Sequence, residues 1–158
     1  MLTIVISAAA GFFFGNVLNV VKERRDQIRD DIQDLIELIR EYASLSGQYW
    51  LKDGGRLSRN RCSSVDLIAD ENLMMQLELE ITARIEFYRT MYWRLDEIVS
   101  DPWLNLTTVA TGGGFGVRNR KPDTGRSKNL HSKTALLIER VMKMRSDLLP
   151  NGFFRTFF

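Results

Sequence analysis

LTIVISAAAGFFFGNVLNVV, Leu2 to Val21, runs for 20 positions without a charged side chain and stops abruptly at Lys22-Glu23-Arg24-Arg25. As an α-helix rising about 1.5 Å per residue, this stretch reaches about 30 Å, the thickness of the hydrocarbon core of a bilayer. Thr3, Ser7, Gly11, Gly15 and Asn19 recur at every fourth position, and Gly11 and Gly15 close a GxxxG. In lipid, a row of small and polar residues lets two backbones approach closely and offers interhelical hydrogen bonds. The reading is a transmembrane helix over residues 1–21 whose small-residue row is the seam of an oligomer or, if hydrated, the wall of a pore.

Two other readings of the segment compete. A secretory signal peptide carries a positive leader, and here the apolar run continues past Ala8-Ala9-Ala10 to Val21. A buried helix of a soluble protein would give Asn16 and Asn19 the partners that lipid denies them. The span is preferred. Lys22, Arg24, Arg25 and Arg29 all follow it, so the positive-inside rule puts the N-terminus outside and the body in the cytoplasm, at the inner (plasma) membrane. The lone Cys62 agrees with a reducing compartment.

Beyond the span, residues 22–149 suffice for one helical domain, with residues 150–158 as an aromatic C-terminal tail. The fold class expected is all-α, the membrane helix continuing without a Pro or Gly break from Val17 to Ser46. Ile28, Ile32, Leu35, Ile39 and Tyr42 alternate steps of four and three, and Ile36 and Leu38 widen the stripe into a bundle face. A loop is expected from Gly47 to Ser64 and a second long helix from about Val65 to Val99, its densest apolar section around Phe87 to Leu95. Asp101-Pro102 reads as a cap and first residue of a short helix to about Val109. Gly112 to Gly116 then breaks the chain as a hinge, and a third long helix runs from about Ser132 to Leu149. The tail Asn151 to Phe158 carries four Phe, which are expected to dock in a groove of the same or a neighbouring subunit.

Net charge is only +2, but it is unevenly spread. Lys22 to Ser46 holds five basic and seven acidic residues, whereas Thr111 to Lys133 holds six basic residues against Asp123 alone. With consecutive helices antiparallel, that basic loop is expected near the membrane, where Arg118, Arg120, Lys121 and Lys128 would meet lipid phosphate ahead of RNA.

Catalytic options are few. One His and one Cys cannot complete a zinc site within one chain, the Glu-x-x-His of bundle di-metal centres is missing, and Gly112 to Gly116 matches no phosphate-binding loop. No cofactor is expected. The exception is Arg126-Ser127-Lys128-Asn129-Leu130-His131, in which a cation and a proton carrier with four residues between them could act on an RNA phosphodiester without a metal.

That spacing resembles the R-x4–6-H motif of HEPN-domain ribonucleases, with Ser127 where catalytic members often carry Asn, Asp or His. Together with one N-terminal span and a compact helical body, the chain resembles the small HEPN-like membrane accessory proteins of type VI-B CRISPR systems. The resemblance implies a homo-oligomer enclosing a pore, a part in antiphage defence beside an RNA-guided effector protein, and importance for Arg126 and His131. Three functions follow as expectations: a pore-type or membrane-perturbing oligomer first, a membrane-anchored metal-independent ribonuclease using Arg126 and His131 second, and a non-catalytic membrane scaffold third.

Overall fold

The computed structural model describes residues 2–54, 61–91 and 96–148, with the side chains of 2–14, 61–64, 91, 96–97, 144 and 146–148 outside that description. Four α-helices account for nearly all of it: α1 (Leu2–Leu51), α2 (Arg61–Met91), α3 (Asp101–Thr111) and α4 (Thr124–Leu148). A single π-helical turn, Asp96–Ser100, leads straight into α3. The described residues contain no strand, so the all-α expectation holds.

α1 is the spine. Its buried residues Ile32, Leu35, Ile39, Tyr42, Tyr49 and Trp50 are joined by Ile36 and Ala43, which broadens the buried stripe to about 140° of the helix surface. A stripe that wide takes two neighbours. α2 packs on one flank and α4 on the other, both antiparallel to α1. On the α2 side, Glu71 accepts from the Tyr49 hydroxyl at 3.0 Å and Glu78 from Tyr42 at 3.1 Å, while the Tyr88 hydroxyl donates to the Asp31 carbonyl at 3.3 Å. α3 closes the groove through Trp103, whose indole donates to Thr82 at 3.0 Å and lies 5.3 Å from the Tyr42 ring.

Several boundaries differ from expectation, each for a local reason. α1 runs through Gly47 to Leu51 because tertiary packing outweighs the helix-weakening effect of one glycine, a cost of about 1 kcal/mol. A methyl group at Gly47 would meet Ser127 Oγ at 3.5 Å and His131 Nε2 at 3.6 Å, which is ordinary contact. α4 starts at Thr124, eight residues earlier than Ser132. Asp123 caps it: its carboxylate accepts from the Arg126 amide at 2.8 Å and its carbonyl from the Ser127 amide at 3.1 Å. Asp101 does not cap α3. Ser100 already has helical dihedrals and makes no side-chain cap, because the chain arrives through the π-turn rather than a loop. α2 ends at Met91, and of the dense apolar section Phe87 is exposed and Tyr88 buried, with residues 92–95 outside the description.

Among the described residues no helix is long and apolar enough to cross a membrane. Most of the expected span, residues 2–14, lies outside the described side chains, as does the aromatic tail. The small-residue row is therefore visible only at Gly15, with open space around it, and at the exposed Asn19.

Two glycines of the α1 end should respond oppositely to alanine. Gly47→Ala should raise unfolding free energy by about 0.5–1 kcal/mol. At Gly54 a methyl group would sit 2.8 Å from the Arg118 carbonyl oxygen. Gly54→Ala should therefore lower stability, and urea denaturation of the two variants checks both signs.

Candidate functional site

The densest polar arrangement among the described residues lies where α1 ends. A helix terminus leaves four carbonyls without intrahelical partners. Here the chain ahead of α4 supplies donors. Arg120, only 7% exposed, reaches under the terminus and donates from one guanidinium nitrogen to the Lys52 carbonyl at 3.0 Å and from the other to the Tyr49 carbonyl. The Asp123 amide donates to the Trp50 carbonyl at 2.8 Å, and the Gly54 amide to the Arg120 carbonyl at 3.0 Å.

The aromatic pair Tyr49–Trp50 sits inside this ring of donors. The Arg120 guanidinium lies 3.9 Å from the Tyr49 ring centroid, and that of Arg126 lies 4.1 Å from Trp50. Trp50 donates to the Ala110 carbonyl at 2.8 Å, tying α1 to the end of α3. The glycine-rich segment is moulded onto the same node rather than acting as a free hinge. Gly113 and Gly116 have φ of 65° and 75°, and the Gly116 amide donates to the Tyr49 hydroxyl at 3.0 Å. A side chain at Gly113 would lie 2.7 Å from an Arg126 guanidinium nitrogen, so glycine is needed there on two counts.

The motif arginine belongs to this node: Arg126 donates to the Gly112 carbonyl, pairs with Asp123 at 3.6 Å and stacks on Trp50. His131 is exposed and lies beside Gly47. Five residues apart on one helix, the two side chains leave the axis about 140° apart. Within one chain they do not converge on a single phosphate. Arg126 was legible as a functional candidate, but the signal that it is structural, a Tyr-Trp pair within reach, lay 76 residues away in sequence.

The basic loop also has a different place from the one expected. It packs on Tyr49, Trp50 and Gly54, at the far end of α1 from the apolar segment. The 28 residues from Val21 to Tyr49 put about 42 Å between them. The place of Arg118, Arg120, Lys121 and Lys128 thus differs from the one expected beside the span. Arg120 is buried, and Arg118 pairs with Glu71 at 3.4 Å. Lys121 and Lys128 are exposed.

Elsewhere, a shallow pocket of about 240 Å³ opens between α3 and α4, lined by Asp101, Pro102, Asn105, Lys133, Leu136 and Arg140. Among the described residues there is no cluster of His, Cys, Asp and Glu that could hold a metal ion. In comparisons with known proteins, no family model, no curated protein and no solved structure matches the chain.

Burial raises the Tyr49 phenol above its ordinary pKa of 10.0, against the opposing pull of the Gly116 amide and Arg120. Burial also raises Tyr42, with Glu78 adding to it, and Tyr88. In each case the unfolded chain ionises first. Stability should hold below about pH 10 and then fall by up to about 1.4 kcal/mol per pH unit for each tyrosine until the folded phenols ionise. Tyr42→Phe should flatten that alkaline decline, measured as urea midpoints between pH 8 and 11. Arg120→Ala, which takes the guanidinium from the Tyr49 and Lys52 carbonyls and leaves Tyr49 only the Lys52 amide, should cost about 2–3 kcal/mol at neutral pH. Lys121→Ala in the same assay should cost almost nothing.

Proposed function

We propose that the protein is a single-pass membrane homo-oligomer whose helical domain stands on α1, and that it acts on the membrane itself, as a pore or as a perturbing assembly. The carrying observation is the section of α1 that leaves the bundle. Leu18 to Arg25 are exposed, including Leu18 at 50% and Val20 at 62%. The core begins only at Ile28 and Ile32. An apolar helix section that the described chain leaves uncovered favours lipid or another copy, and the sequence is uncharged from Leu2 to Val21. The bulk of the domain would then lie on the Lys22 side of the bilayer, the cytoplasmic side by the charge rule.

The role in antiphage defence, beside an RNA-guided effector, has support only from the resemblance in architecture. The ribonuclease alternative is weaker for a physical reason: Arg126 would have to give up Gly112, Asp123 and Trp50 to reach a substrate.

Membranes carrying the full chain provide the test. The protein should stay in the pellet through alkaline carbonate extraction, and purified oligomer should release dye from sealed vesicles. Gly15→Leu, placed where the wild-type glycine has open space, should abolish release by spoiling close helix approach. Release of the protein into the carbonate supernatant would sink the membrane reading, and dye retained in the presence of wild type would sink the pore.

A further inference from the structure

α2 is apolar on two faces. Leu67, Met74, Ile81, Ile85 and Tyr88 bury one against the bundle. Val65, Ile68, Met75, Leu79 and Phe87 form a second stripe, centred about 160° away and about 33 Å long, with Leu79 70% exposed and Phe87 58%. Nothing in the described chain covers it. A stripe of this length on the outside of an edge helix is a docking surface in search of an occupant.

We infer that a second copy of this chain covers it, with α2 of one copy seated on the α3–α4 edge of the next. Charge favours this partner. Asp70, Glu71 and Glu78 of α2 are turned to α1, and the charges left outside are Asp66, Glu80 and Glu86 against Arg84 and Arg89. α4 exposes Lys128, Arg140 and Lys143 against Glu139, so packing α2 on α4 is the pairing with opposite excess. The α3–α4 edge has apolar content of its own: Leu104 is 64% exposed and Leu136 41%, and Leu136 lines the shallow pocket together with Lys133 and Arg140.

The heights agree as well. Glu78 is level with Tyr42 of α1 through their hydrogen bond, so Leu79 is too. His131 is level with Gly47, and five residues further along the antiparallel α4 Leu136 is level with Tyr42. α2 and α4 run in the same direction, so copies related by an axis along α1 bring Leu79 and Leu136 to the same level. Lipid is a poor occupant, because Tyr42 stands about 30 Å along α1 from Val21. A contact between two different faces is heterologous, and it closes into a ring when its rotation divides the circle.

The inference rests on the homo-oligomer of the proposed function, and its choice of axis rests on the span. Two single-cysteine full-length variants in a Cys62→Ser background test it, Leu79→Cys and Leu136→Cys, both at exposed positions. Mild oxidation of co-expressed variants should give a disulfide-linked dimer that neither variant gives by itself. Self-crosslinking of Leu79→Cys would overturn the inference in favour of a like-with-like face. No crosslink in a particle of oligomeric mass would overturn it too, leaving the face to the C-terminal tail or to a different protein. A particle of monomeric mass would remove the oligomer together with this face.

Discussion

The tertiary structure hangs on how α1 ends. A helix of 50 residues that stops in the interior has to surrender its last carbonyls to something other than water. Arg120 takes the Tyr49 carbonyl and that of Lys52 just past the helix, Asp123 takes the Trp50 carbonyl, and everything else at that end is arranged around these donors. A buried guanidinium is costly unless its donors and its face are both used. Here two carbonyls accept from it and the Tyr49 ring lies beneath it at 3.9 Å. Because Asp123 also caps α4, the stop of one helix and the start of another are the same interaction. That economy explains why the glycine turn, the Tyr-Trp pair and the two arginines all meet within one small volume.

The helices were legible because the apolar spacing of Ile32, Leu35, Ile39 and Tyr42 has one interpretation, and these residues are indeed buried. Their ends were not. Gly47 and Gly125 weaken helix in isolation, and only contacts from distant segments decide that helix survives there. The same limitation applies to the basic loop. Six cations between Thr111 and Lys133 read as a surface for phosphate, because a linear charge count cannot see that Arg120 lies under a helix terminus and Arg126 on an indole. Chemistry-bearing residue types were recognised, but their tasks are set by neighbours that sequence separation hides. The glycine-rich segment shows the same thing in reverse: it reads as freedom, yet its positive φ angles hold one particular turn.

Charge segregation has a similar logic. α2 spends Glu71 and Glu78 on the tyrosines of α1, so its acidity is partly a requirement of packing. Asp70 and Lys52 add another pair across the same interface. The basic residues of α4 have fewer such uses beyond Arg126, and its outer surface stays positive. Opposite charge on two edges of one molecule is thus partly a by-product of how each edge meets the spine.

The unbroken course of α1 also has a mechanical meaning. With no proline or glycine between Val17 and Ser46, the helix has no place to flex, and the bundle that grips it from Ile28 to Trp50 turns with it as one stiff body. Trp50 and the segment near Val21 are about 42 Å apart. A tilt of only about 10° about Val21 would sweep the Trp50 end sideways by about 7 Å, more than the rise of one helical turn. A small change of angle where the helix leaves the bundle is thereby magnified at the far end of the domain, and the gain is set by nothing more than the length of an uninterrupted helix.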